Sequence, residues 1–268
     1  MKKTISHRTF LFSVVAGVMV AILAACSSST DKSAISLNKD SGAALLSKVQ
    51  SSLKTIALVV KRSTMDLWWV SRDGYSITND SSPAIEAQIP GCESDVSSSS
   101  MWQATATKII AAVDSVMSSE SFAIDKETNS SKSLSDTKFY DYIKAYYRGS
   151  TKAVLSISPD CGSTSQADNP VMYYSASFGY TNDYQKNYDE QSPFLYDLDL
   201  KDVIVHVQKS EADYRLLAVN YRRSGHATIA KLVDGKWHEL WSGQDLITCA
   251  ERDSKKIPKS MAPDCYNQ

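Results

Sequence analysis

The sequence predicts an α+β protein: two helices on one face of an antiparallel sheet, followed by a small antiparallel β-meander with a disulfide-tied tail. Three observations predict it. Two segments repeat apolar residues at three- and four-residue intervals, and several others carry alternating or β-branched runs between turn residues. Cys249 and Cys265 bracket the last stretch of chain.

In the first segment Leu46, Val49, Leu53, Ile56 and Val60 recur with helical spacing. Residues 42–60 are therefore expected to form an amphipathic helix with Ser41 at its N-cap. Met65 to Ile77, which holds Trp68 and Trp69, contains a short β segment and a turn at Asp73-Gly74. Ser97 to Ser100 caps a second helix, with Trp102, Ala106, Ile109, Val113 and Val116 on its apolar side. A Ser/Asn/Lys-rich loop follows around 126–136. Tyr140–Tyr147 and Lys152–Ser158 then read as a hairpin around Gly149, and Val171–Tyr180 as a further strand. Residues 41–185 thus make an α+β domain.

Residues 181–200 are rich in Tyr and Asp and are interrupted by Pro193, so a domain boundary is placed here, with residues 186–268 as the second module. Val203–Gln208, Tyr214–Tyr221, Ala227–Val233 and Lys236–Ser242 form its four strands. Asp234-Gly235 is the strongest hairpin signal in the chain, because glycine permits the positive φ of a type I′ turn. Regular alternation would put Trp237, Glu239 and Trp241 on one face and His238 and Leu240 on the other. A four-strand meander alone leaves a face uncovered, so the tail from Gln244 to Tyr266 should fold back over apolar surface that includes one or both tryptophans.

Composition narrows the function classes. The 268 residues carry 29 basic and 30 acidic side chains, which excludes a disordered acidic tail and a strongly basic nucleic-acid binder. No nucleic-acid partner is expected, and Arg222-Arg223 is too small a basic cluster to suggest one.

The N-terminus gives an address. Lys2, Lys3 and Arg8 form a positive region, and Phe10 to Ala25 is an apolar run too short to span a membrane comfortably. The run closes on Leu23-Ala24-Ala25-Cys26. These residues resemble the bacterial lipoprotein signal, at all four lipobox positions. The resemblance implies removal of residues 1–25 by cleavage between Ala25 and Cys26, and diacylglycerol on the Cys26 thiol. The remaining chain of 243 residues would sit on the extracytoplasmic face, at the cell surface or in the periplasm. With Lys2, Lys3 and Arg8 gone, 26 basic residues face 30 acidic ones, a charge of −4. Such a body is not drawn to anionic lipid, so acyl chains must hold it to the membrane. Residues 26–40, polar and rich in Ser, Asp and Lys, read as a flexible tether.

Four cysteines remain downstream: Cys92, Cys161, Cys249 and Cys265. An even number in an oxidising compartment suggests two disulfides, for which three pairings exist. Cys92–Cys161 with Cys249–Cys265 is preferred, since each bond then stays inside one module. No C-x-x-C pair is present, which argues against zinc. The segment from Leu232 through Asp234-Gly235, Trp237, Trp241, Cys249 and Ile257-Pro258 to Cys265 is similar to the C-terminal ends of uncharacterised secreted and lipoprotein chains of actinobacteria. That resemblance implies a small β module with a closing disulfide and carries no activity.

Catalytic signals are weak. No G-x-S-x-G elbow occurs, and His206, His226 and His238 each lie in or beside a strand without a partner motif. Asp197, Asp199 and Asp202, with Asp189 and Glu190, lack the glycine and distal glutamate of a calcium loop and read as solvated charges. With no phosphate-cradling loop either, no cofactor or metal is expected.

The tyrosines stand out. Ten of the fourteen lie between Tyr140 and Tyr196. Because neighbours in a strand point to opposite faces, Tyr146-Tyr147 and Tyr173-Tyr174 each send a ring outward and form a candidate binding surface. The chain is therefore read as a membrane-anchored, non-enzymatic binding or structural protein of the envelope, with an envelope protein or cell-wall glycan as partner. Two alternatives stand beside it: an extracytoplasmic hydrolase without a recognisable motif, and an inhibitor or immunity lipoprotein.

Overall fold

The computed structural model describes residues 39–57, 59–90, 99–129, 142–163, 172–221 and 224–267. The signal, Cys26, the tether before Lys39, and Cys92 lie outside them. All described residues belong to one compact unit. Among them are two antiparallel sheets with five helices, a mixed α+β fold.

Helix α1 (Lys39–Leu53) leads into strands β1 (Val59–Val70) and β2 (Ser76–Pro90), followed by α2 (Ser99–Ser119). The expected helix over 42–60 stops at Leu53. Ile56 and Val60 still pack on the same core, but from a turn and a strand. Their helix-like spacing therefore marks a shared core and not one helix. Ser41 lies inside α1 and not at its cap. A methyl group on Gly42 would come 2.0 Å from the Tyr180 hydroxyl, so glycine here allows α1 to lie close on the sheet.

The short β3 (Ala123–Ile124) and α3 (Lys126–Asn129) precede the hairpin β4 (Tyr142–Arg148) and β5 (Thr151–Ser163), and β6 (Met172–Thr181) completes the first sheet. Its strand order is β1-β2-β6-β5-β4-β3. Leu45, Val49 and Leu53 of α1 and Ile109, Val113 and Met117 of α2 bury themselves against Ile85, Ala87, Leu155 and Phe178 on one face. The two helices on a sheet are thus found as expected. Among the described residues no helix is long and apolar enough to cross a membrane.

Where a domain boundary was expected, residues 184–197 form α4 (Tyr184–Asp197), which runs through Pro193. It leads to the meander β7 (Ile204–Glu211), β8 (Tyr214–Asn220), β9 (Gly225–Val233) and β10 (Lys236–Gly243), in the order β10-β9-β8-β7. Leu67, Trp69 and Ile77 on the second face of the first sheet share a core with Phe194 and Leu195 of α4 and with Val205, Val219 and Trp237 of the second sheet. The boundary expected at 185/186 therefore falls at the start of a helix whose apolar side chains join one core with both sheets.

A reason for α4 lies in β2. Pairing of β2 with β6 begins only at Ala84↔Gly179, so the first half of β2 has no β6 neighbour. Gln191 bonds that free edge as a strand would. Its Oε1 accepts from Thr78 N at 2.9 Å and its Nε2 donates to Thr78 O at 2.6 Å. An uncovered edge of this kind is a liability, and α4 closes it.

The Asp234-Gly235 turn has φ of 50° and 79°, both in the left-handed region. The tail does fold back. Ile247, Ile257 and Met261 pack with Ile229 and Trp241 on the outer face of the meander, and Cys249–Cys265 closes the loop. Thr248 caps the short helix α5 (Cys249–Ser254) by accepting from Glu251 N at 3.0 Å. Trp237 and Trp241 do not share a face, however. A register shift between Glu239 and Trp241 inserts a bulge, so Trp237 joins the inner core and Trp241 the outer one. Cys161 is disulfide-bonded, while its expected partner Cys92 lies outside the described residues.

Candidate functional site: a tyrosine surface around helix α4

The four tyrosines expected to form a surface separate into two classes. Tyr146 is 1% exposed and its hydroxyl donates to Asp114 Oδ1 at 2.8 Å. Burial, then Asp114, push its phenol well above the usual range. Tyr174 is buried in the same helix-side core. Both are core residues and leave the binding surface. Alternation does send Tyr147 and Tyr173 to the other side, and Tyr147 is 42% exposed. Those two rings are far apart, though. Tyr147 pairs with Lys152 at one end of β5 and Tyr173 with Gly162 near the other, ten residues or about 30 Å along the strand.

What surrounds Tyr147 is a different set, supplied by α4 and the β1–β2 turn. The Lys152 ammonium lies 5.5 Å from the Tyr147 ring centroid and 4.9 Å from that of Tyr184. It is fixed from below by a buried ion pair with Asp125, which also accepts from Thr128 Oγ1 at 2.9 Å. Burial weighs most heavily against the Asp125 charge. Lys152 and the Thr128 hydroxyl outweigh it together with Glu127 and hold the carboxyl below the usual range. Tyr184 packs on Trp69 with centroids 5.5 Å apart. One turn further along α4, Tyr188 meets Tyr196, with hydroxyls 2.6 Å apart, and each donates to Asp73 Oδ2 at 2.7 Å. Tyr196 also stands edge-on to Tyr75, at 4.6 Å.

The electrostatics favour one fixed protonation pattern. Hydrogen bonds from Tyr196 and then Tyr188 hold the Asp73 carboxyl below its ordinary value. Burial, then the Tyr188 hydroxyl and the Asp73 carboxylate beside it, push the Tyr196 phenol far up. At neutral pH the Tyr196 phenol therefore stays neutral beside the Asp73 carboxylate, and the Lys152 side chain lies against the rings of Tyr147 and Tyr184. Such ring surface can pack against a sugar or a protein, with the Tyr188 and Tyr196 oxygens, whose protons go to Asp73, left to accept hydrogen bonds.

The other sequence candidates lie elsewhere. Asp197 Oδ2 accepts from Trp237 N at 2.8 Å and so ties α4 to β10. Asp189 accepts from Gln185, and Asp199 lies 4.0 Å from Lys201. They do not converge on a common point. His238 is exposed, and His226 stacks against Tyr221 at 5.5 Å. His206 does have a partner, because its Nδ1 lies 2.7 Å from Asp80 Oδ1. Beside that pair, a cleft of about 500 Å³ opens between β2, α4 and the second sheet, lined by Asn79, Asp80, Asn187, Glu190 and Arg215 among others. Comparison with known protein families, curated proteins and solved structures finds no match to the chain.

Proposed function

We propose that the protein is a lipid-anchored extracytoplasmic lipoprotein whose folded part binds an envelope partner, protein or cell-wall glycan, through the tyrosine surface around α4. The observation that carries the binding reading is the convergence of Tyr147, Tyr184, Tyr188 and Tyr196 along one side of α4 and its neighbouring turn. The anchor rests on Leu23-Ala24-Ala25-Cys26 and the basic residues before it. Two or three acyl chains at Cys26 would hold the mature chain stably, where one binds only marginally.

The anchor is tested by detergent-phase partitioning of the full-length protein. The parent should enter the detergent phase and Cys26→Ala the aqueous phase. If the variant stays with the membrane unchanged, the first 25 residues hold the protein there and the lipid anchor is wrong.

A second reading, an extracytoplasmic hydrolase, is favoured by the polar cleft beside Asp80 and His206. Clefts with converging polar groups are where chemistry is usually housed.

A further inference from the structure

We infer that Asp66, Asp80 and His206 form a binding site for a divalent transition-metal ion. One ligand atom from each, two carboxylate oxygens and an imidazole nitrogen, lie within 4.8 Å of one another. They come from β1, β2 and β7, which belong to two different sheets.

The local backbone explains why they converge. Between the pairs Met65↔Ser82 and Leu67↔Asn79 the ladder is irregular, with Asp66 on one strand against Asp80 and Ser81 on the other. Ser81 takes φ 53°. A bulge re-aims side chains that a regular ladder would send to alternate faces. Asp66 is then oriented by Ser81 N, which donates to its Oδ1 at 2.9 Å. His206 is placed by the bond that joins the sheets next to it, Thr78 Oγ1 donating to Val205 O at 2.7 Å.

An ordinary surface ion pair would need one carboxylate beside His206. Here a second carboxylate converges on the first, an arrangement of like charges that a dication relieves. Ligand atoms sharing one ion at about 2.1 Å stand about 3–3.4 Å apart, so His206 Nδ1 and Asp80 Oδ1, hydrogen-bonded at 2.7 Å, need separate by only a few tenths of an ångström to take an ion between them. Two carboxylates with one imidazole suit Zn²⁺ or Mn²⁺ better than Ca²⁺, which takes oxygen ligands only. Three protein ligands leave coordination positions for water or an anion. Asp80 also lines the 500 Å³ cleft, where Arg215 supplies positive charge. The site is independent of the tyrosine surface and of the lipid anchor.

The test is calorimetric titration of tag-free, chelator-stripped full-length protein with ZnCl2 and with MnCl2. One ion should bind per chain, and Asp80→Asn and His206→Gln should each weaken binding at least about tenfold. Asp66 and Asp80 are exposed, so their Asn variants should melt like the parent without metal. If His206→Gln does not fold, the two aspartate variants decide. Failure of both ions to bind the parent at one per chain, or undiminished binding in Asp66→Asn and Asp80→Asn, overturns the inference.

Discussion

Removal of residues 246–268 is expected to destabilise the protein by on the order of 5 kcal/mol and to red-shift its tryptophan fluorescence. The size follows from what the tail buries. Ile247, Ile257 and Met261 are 4%, 4% and 1% exposed, and each such side chain contributes about 1.5–3 kcal/mol. Beneath them lie Ile229, itself 1% exposed, and Trp241, whose environment becomes wetter when the tail is gone. A domain's whole stability is about 5–15 kcal/mol, so the truncated chain should be marginal. The Cys249→Ser/Cys265→Ser pair, which keeps the tail but opens its loop, should lose only about 3 kcal/mol. Urea unfolding followed by fluorescence separates the two. A truncated protein that unfolds at the parent's midpoint would mean that the tail contributes no packing.

The second large effect is expected at Lys152. Its ammonium and the Asp125 carboxylate are 9% and 3% exposed as side chains, and Lys152→Met leaves that carboxylate buried without its cation. Breaking a buried pair from one side costs about 3–5 kcal/mol, whereas Lys152→Met/Asp125→Leu should recover most of it. The pH dependence has a definite sign. In the parent the Asp125 pKa is depressed on folding, so its contribution is present above the unfolded value and is lost as pH falls through the folded one. In the variant only the hydrogen bonds from Thr128 and Glu127 still oppose burial, so that pKa rises relative to the parent and protonation removes part of the penalty. The stability gap between parent and variant should narrow from about pH 7 to about pH 4. A gap that stays constant or widens would contradict the pairing.

How much of this was legible in the sequence depended on what each element buries. α1 and α2 were visible because Leu46, Val49 and Leu53, and Ala106, Ile109 and Val113, are apolar positions that go into the core. The meander was visible because its turn and its alternation are local. α4 was hidden because much of its buried face is Asn187, Gln191 and Ser192, polar residues of which Gln191 serves the free edge of β2. A helix chosen to satisfy backbone groups shows no clear apolar stripe. β2 was hidden by Asn79-Asp80-Ser81-Ser82-Pro83, which reads as loop but forms an irregular stretch inside a long strand.

The same limits apply to the sites. Strand alternation placed one ring of Tyr146-Tyr147 outside but could not say which of the two faced the helices. It could not bring Tyr184, Tyr188 and Tyr196 to Tyr147 either, because that depends on the docking of an unseen helix. In the run Val203–Gln208 alternation puts His206 on the face opposite Val205, and Val205 is the one that enters the core. The partner of His206, Asp80, lies 126 residues earlier in the chain, a separation that no local pattern spans.

The most direct measurement is photo-crosslinking in cells, with a benzophenone side chain at position 147 of the full-length protein and a control at Lys108, an exposed residue of α2. Binding through the tyrosine surface should give a discrete crosslinked species from position 147, sensitive to protease or to muramidase according to whether the partner is protein or glycan, and none from position 108. Equal crosslinking from both positions, or none from position 147, would contradict it.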